Sequence, residues 1–438
     1  MVKLTSQAEE LNNTIRTHNP AVYEMLSRKG KAIYFPALGI LAQGQDAKGK
    51  KINATLGTAY EDDGSPMVLP CIAENIKIDP REAFPYAPSP GIPKLREKWK
   101  EMLNSKNPSL KGIEISNPVV TCALTHGLNM IAYMFMEEGD EIIMANLKWE
   151  NYDLVFINAY GATYKYYNFF KNNAFDVEDF KKNLNEGKTG KKIVLLNFPN
   201  NPSGYSPTKE AARAIIQALA DAADAGNKLL VILDDAYFGL VFDQGIYEES
   251  LFGALAGLHE NLLAVKVDGI TKEEYAWGFR VGFLTYGIKN GKKELYKALE
   301  AKTAGAVRGS ISNTSHLSQS LVLKALQSPT YWEEKTRNAQ KIKERFLETK
   351  KILAAHPEYQ RFFEPLPFNS GYFMCLRLKK LDAETVRKTL LTDKYSTGVI
   401  SIGTDLLRVA FAATPTGKLE KLFNNIYEAC REVSAAPA

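Results

Sequence analysis

The sequence predicts an α/β protein: a mainly parallel sheet lying between helices, followed by a smaller α+β region. Three observations predict it. From about residue 118, short apolar, β-branched runs alternate with helical stretches, the pattern of a parallel sheet covered on both faces. Near residue 316 that alternation gives way to a long helical segment ending near AAHPEY, a few strands and a closing helix, PTGKLEKLFNNIYEACREV. A chain of 438 residues is too long for one small core, so a large domain with a smaller companion is expected.

Taken in order, EELNNTIR and AVYEMLSRKG carry helical patterns, and GQDAKGKKIN reads as a loop. INATLGTAYEDDGSPMVLP is strand-like and ends in acidic and Gly/Pro turn residues. FPYAPSPGIPKLREKWKEMLN is a proline-rigid loop feeding a helix that begins near Pro93. Strands are then expected at PVVTCA, EIIMAN, TYKYYN, KIVLLNF, LLVILDD, LAVKVDG and VGFLTY. Helices fall between several of them, notably THGLNMIAYMFME and TKEAARAIIQALADAADAG. No internal repeat and no low-complexity tract is present. The domains expected are an N-terminal arm with part of the smaller domain over 1–75, the large domain over 76–315, and the C-terminal small domain over 316–438.

Composition narrows the class. Hydrophobic residues make up 45% and charged residues 24% of the chain, ordinary values for a globular protein. A net charge of +5, without a long Lys/Arg block, does not point to nucleic acid. Four scattered cysteines (Cys71, Cys122, Cys375 and Cys430) form no CxxC pair, which argues against zinc or a disulfide framework and fits a reducing compartment. The first residues lack the apolar stretch of a signal peptide, and no apolar run is long enough to span a bilayer. A soluble cytoplasmic protein is expected.

Polar groups gather at the expected strand ends, where ligands of such sheets bind. Lys272 follows the apolar run LLAVKVDGI. It is either a strand-end lysine reaching water or a buried amine of lowered pKa, able to form a Schiff base. Arg280 lies between Gly278 and Gly282, a fork suited to phosphate with glycines permitting close backbone approach. Asn201 sits in NFPNNPSGY as an Asx-turn residue or a ligand group. Asp234 and Asp235 end LLVILDD ahead of Tyr237. Asp234 either caps the next helix or holds a proton on an aromatic nitrogen. Thr125 is a helix cap or part of an anion site at a helix start, and Trp149 is core or a flat stacking surface. Tyr86 is a core aromatic or offers its hydroxyl to a ligand. Arg408, on the apolar strand TDLLRVAFA, needs either a protein carboxylate or a ligand's.

In this order, NPSG, DDAY, the TK pair with an arginine eight residues on, and the late arginine strand resemble the fold-type I pyridoxal-phosphate-dependent aminotransferases of class I/II. The resemblance runs from about Ile52 to the C-terminal helix, and is nearest the aspartate and aromatic branch through INATLGTAYEDDGSPMVLP, YAPSPG and WENY. It implies a large domain binding pyridoxal 5′-phosphate, with Lys272 as Schiff-base lysine and proton shuttle. Asp234 would pair with the pyridinium nitrogen, and Tyr237 and Asn201 would bond the ring oxygen. Thr271, Arg280 and the Ala123–Leu124–Thr125 turn would hold the phosphate, with Tyr86 reaching it from the partner subunit of a homodimer with shared active sites. Trp149 would stack on the ring, and Arg408 would clamp the substrate α-carboxylate. Arg308, four residues before a Ser-Asn pair, is either a loop arginine or the group that binds a distal carboxylate. Departures are Gly269 where many members have serine, Ala123 for a frequent glycine, Tyr152 for a histidine beside the ring-nitrogen aspartate, and a longer N-terminal segment. The implied activity is ping-pong transamination between an L-amino acid (aspartate, glutamate or aromatic) and a 2-oxo acid. A lyase or decarboxylase on the same scaffold is the alternative. A cofactor-sensing regulator is remote, since residues 1–50 supply no convincing DNA-binding module.

Overall fold

The apolar runs of the middle of the chain form seven strands: β1 (Val119–Thr121), β2 (Glu141–Ala145), β3 (Thr163–Tyr167), β4 (Lys191–Asn197), β5 (Lys228–Asp234), β6 (Leu262–Gly269) and β7 (Gly282–Gly287). The computed structural model describes residues 4–36 and 39–435. Residues 1–3, 37, 38 and 436–438, which belong to the first and last expected segments, lie outside the described residues. The strands lie in the order β1-β7-β6-β5-β4-β2-β3. β7 is antiparallel to both neighbours, and the other pairs are parallel. The mostly parallel α/β architecture therefore stands as the alternation predicts.

Both faces of the sheet are buried, which is why its strands read as unbroken apolar runs. Along β4, Val194 and Leu196 pack on one side with Ala212, Ile215 and Leu219 of the helix Lys209–Asp224. Ile193 and Leu195 pack on the other with Leu124, Leu128 and Ile131 of the helix Ala123–Phe135. Successive side chains alternate between the faces, as a strand requires.

A second, antiparallel sheet comprises β8 (Phe363–Pro365), β9 (Met374–Leu378), β10 (Ile400–Ile402) and β11 (Leu406–Val409), in the order β8-β9-β11-β10. Ile52–Asn53 pairs in parallel with Thr397–Gly398, bringing the N-terminal region to this part of the molecule. Between the two sheets in chain order comes the 25-residue helix Tyr331–Ala355, which buries Ile342, Phe346 and Ile352. Among the described residues, no helix is long and apolar enough to cross a membrane.

Several local expectations change. The long helical segment from 316 is two helices, His316–Gln327 and Tyr331–Ala355, because Pro329 lacks the N–H a continuous helix needs. INATLGTAYEDDGSPMVLP contributes only Ile52–Asn53 and an isolated bridge between Tyr60 and Pro66. AVYEMLSRKG breaks where Ser27 caps a new helix through the Gly30 N–H. The start of GQDAKGKKIN is the end of the helix Ile40–Asp46. Arg308 is not in a loop: it lies in the last turn of the helix Lys293–Ile311, which continues through the Ala/Gly-rich stretch until Ser312 turns to φ 65°.

Candidate active site

The carboxyl ends of β4, β5 and β6, the loop after β2 and the helix start after β1 converge on one cavity of about 170 Å³. Parallel strands aim their ends, and the first turns of the following helices, at the same edge of the sheet.

Lys272 lies half-buried in its wall, three residues beyond the end of β6, donating to the Gly57 carbonyl at 2.9 Å. Its own carbonyl accepts the Tyr372 hydroxyl at 2.6 Å. Burial, then Arg408 and Arg280, push the amine down to about 7 while Asp234 opposes them. Asp234 ends β5, buried, accepting the Tyr152 hydroxyl at 2.5 Å and the Ala236 N–H at 3.2 Å. Burial pushes its carboxyl up to about 6 against those two bonds. Asp234 thus caps no helix. Tyr237 lies beneath the lysine, its ring centre 5.3 Å from Nζ.

Asn201 follows β4, its N–H bonded to Asn197 Oδ1 at 2.9 Å. Its side-chain oxygen accepts Arg408 Nη1 at 3.1 Å. Arg408, on β11, also donates to the Thr55 carbonyl at 3.0 Å and lies 4.2 Å from the Phe373 ring centre, while its buried Nε has no partner. Among the described residues no carboxylate is bonded to it, so of the two readings of this arginine the first is absent here.

The helix Ala123–Phe135 starts at the cavity with no side-chain cap, and Leu124 and Thr125 of its first turn line the wall. Ala123 itself is held at φ 58°, a conformation that favours glycine. Thr271 Oγ1 is buried without a partner, and Arg280 reaches the same cavity, donating to the Trp277 carbonyl at 3.1 Å. Trp149 completes the wall, packed edge-on against Tyr152 at 5.5 Å. Gly269 has a steric cause: a Cβ there would lie 2.6 Å from the Val281 oxygen and 2.7 Å from Gly282 Cα. Gly282 is equally confined, 2.7 Å from the Ala123 carbonyl carbon, whereas Gly278 faces open space.

Three sequence-predicted residues do not line the cavity. Arg408 is joined to it through Asn201, whereas Tyr86, 91% exposed, and Arg308, also exposed, stand apart from it. They share one surface, because Ser89 Oγ bonds the Ser312 carbonyl at 2.9 Å and His316 bonds the Pro85 carbonyl at 2.7 Å. Sequence reasoning missed Asn197, whose side chain bonds both Asn201 and the Asp234 carbonyl (2.8 Å); its place at the end of β4 was a usable signal. It also missed Thr55, Gly57, Tyr372 and Phe373, which only folding brings near.

The model of the family described as aminotransferase class I and II matches residues 50–426. The chain belongs to the class I and II aminotransferases. It is therefore an enzyme of amino-acid transamination, and members of this family depend on pyridoxal phosphate. Relatives include the cytoplasmic aspartate aminotransferase of Schizosaccharomyces pombe, 24% identical over 70% of this chain and 76% of that one. The aspartate aminotransferase of Haemophilus influenzae is 25% identical over 75% and 85%. Among solved structures, an aminotransferase from Anaerococcus prevotii superposes with a TM-score of 0.80 at 23% identity, covering 92% of this chain and 98% of that one. The Thermotoga maritima aspartate aminotransferase gives 0.72 at 20% identity, covering 92% and 99%. These likenesses carry the fold.

Proposed function

We propose that this aminotransferase binds pyridoxal 5′-phosphate at Lys272 and moves an amino group between an L-amino acid and a 2-oxo acid in a ping-pong cycle. The observation that carries the reading is a half-buried amine and a buried carboxylate, Lys272 and Asp234, lining one cavity, with the unpartnered Thr271 Oγ1 in its wall and the unpartnered Arg408 Nε behind Asn201. The donor set fits the cofactor. Thr271 Oγ1, Arg280 and the uncapped turn at Ala123–Thr125 suit its phosphate, and the Asp234 carboxylate suits a protonated ring nitrogen. Tyr237 and Asn201 would bond the ring oxygen, and Trp149 would cover the ring face. When bound, the cofactor supplies an electron sink for the charge left when a substrate loses its Cα proton. Lys272, poised near pH 7, is the residue to take and return that proton. Arg408, with its free Nε and buried fork, holds the substrate α-carboxylate and so orients Cα toward Lys272.

The proposed substrates include a dicarboxylic pair, glutamate and 2-oxoglutarate, with aspartate or an aromatic amino acid as the other donor. Support comes from Arg308 and from the names of the relatives. A homodimer is part of the reading: Tyr86 and Arg308 would act from the partner subunit, and the shared surface that bears them also exposes Phe84, Ile311 and Leu317. The domains proposed are 1–75, 76–315 and 316–438, and the setting cytoplasmic. Borohydride reduction of the cofactor-loaded protein followed by peptide mapping should label Lys272; a label on another lysine overturns the assignment. Release of ammonia without an added oxo acid would instead indicate the lyase.

A further inference from the structure

Asp234 and Lys272 both have acidic neighbours that turn away from the cavity, and those neighbours belong to one buried succession of charges. Asp235, next to Asp234, bonds Lys266 of β6 and accepts Ser250 Oγ at 2.5 Å. Lys266 has no exposed surface. It also faces Asp268 at 3.5 Å, which accepts the Trp99 indole N–H at 3.1 Å. The Lys266 and Lys106 ammonium groups both lie over the Phe238 ring, 4.2 and 4.1 Å from its centre. Lys106 bonds Glu273 at 2.5 Å, Glu273 meets Lys335 at 3.0 Å, and Lys335 bonds Glu274 at 2.7 Å. The Tyr331 hydroxyl donates to the same Glu274 oxygen at 2.8 Å.

The succession therefore begins beside Asp234 and ends at the two residues that follow Lys272. It ties them to the helix Pro93–Lys106 and the helix Tyr331–Ala355. Four carboxylates (Asp235, Asp268, Glu273, Glu274) face three ammonium groups (Lys106, Lys266, Lys335). Buried ion pairs rarely stabilise a fold over an apolar replacement, so position and field are what such an arrangement supplies.

We propose that Lys266 and Lys335 are positioning residues of the transamination site, holding through Asp235 and through Glu273–Glu274 the segments that carry Asp234 and Lys272 and balancing the charge behind them. The inference rests on the proposed role of Lys272 and deepens it. Lys272 is faced by Asp234 from β5, Arg408 from β11, Arg280, and the rings of Tyr237 and Tyr372. Asp235 is faced by Lys266, Asp268, Ser250 and Asp234. With Lys266 removed, Asp235 presents an unbalanced negative charge beside Asp234, which itself faces Lys272, and the protonated form of Asp234 is favoured.

The test is the pH titration of the visible absorbance band of the pyridoxal-phosphate-loaded protein. Lys266→Met should raise its midpoint by about half to one pH unit, and Asp235→Asn should lower it by a similar amount, the scale of one buried charge nearby. The double variant should return toward the wild-type value. At the other end, Lys335→Met should raise the midpoint and Glu274→Gln lower it. A purely structural role would move both members of a pair in one direction without restoration in the double variant, and that result overturns the proposal. If Lys266→Met does not fold, Asp235→Asn and the double variant still give the sign. A normal Lys272-linked band that none of these changes moves refutes this inference alone. Absence of any such band in the wild type overturns the Lys272 reading as well.

Discussion

Tyr152→Phe isolates the control that one hydroxyl exerts on Asp234. Tyr152 is fully buried, and its O–H donates to Asp234 Oδ2 at 2.5 Å. Burial and the adjacent carboxylate push the phenol well above its ordinary range, so it remains a donor across neutral pH. Asp234 titrates near 6, raised by burial and restrained chiefly by this bond. A hydrogen bond to a charged group contributes about 1.5–3 kcal/mol and one to a neutral group about 1 kcal/mol. Losing the bond therefore costs about 1 kcal/mol more when Asp234 is ionised, equivalent to roughly one pKa unit. The Asp234 midpoint in the variant should rise to roughly 7. The sign follows from linkage: between pH 6 and 7 the variant's native state keeps a proton that the wild type has released, so its relative stability falls as pH rises. Urea denaturation of the cofactor-free protein at pH 5 and pH 8 should give a variant-minus-wild-type difference that grows by about 1 kcal/mol. A difference independent of pH would show that the hydroxyl does not govern this carboxylate, and the reasoning would fail.

Three further outcomes are expected. Arg308→Ala should cost dicarboxylic substrates roughly 2–5 kcal/mol in kcat/KM, the scale for truncating one partner of a buried charge pair, with monocarboxylic aromatic substrates far less affected; equal loss in both classes removes Arg308 from the site. Mixing an inactive Tyr86 variant with a Lys272 variant should recover activity through hybrid dimers, and no recovery after confirmed subunit exchange would mean self-contained sites. Gly269→Ser should destabilise the protein by about 1–3 kcal/mol or more, since its Cβ would meet the Val281 oxygen at 2.6 Å; an unchanged denaturation midpoint would refute the steric account of this glycine.

The sequence by itself determined the strands of the large sheet and the residues at their ends. Strands buried on both faces are mostly apolar, so the polar residues at or just beyond the ends of LLVILDD, KIVLLNF and LLAVKVDGI stand out, among them Asp234, Asn201 and Lys272, which line one cavity. Motif order supplied the family because those ends sit at fixed intervals along the chain. The partners of these residues were decided only in three dimensions. The Gly57 carbonyl on Lys272 and the Thr55 carbonyl on Arg408 come from positions 215 and 353 residues away. Such contacts are closed by packing, on which local propensity bears no mark. The same holds for Glu273 and Glu274, which read as ordinary charges after a lysine and are buried against Lys106 and Lys335 from two distant helices. Lys266 sat unnoticed inside an apolar strand, because it is Asp235, just past the end of the neighbouring strand, together with Asp268 that makes a buried ammonium tolerable there. Tyr86 and Arg308 lie on the surface of the single chain, where neither local pattern nor the fold of one subunit supplies what they touch.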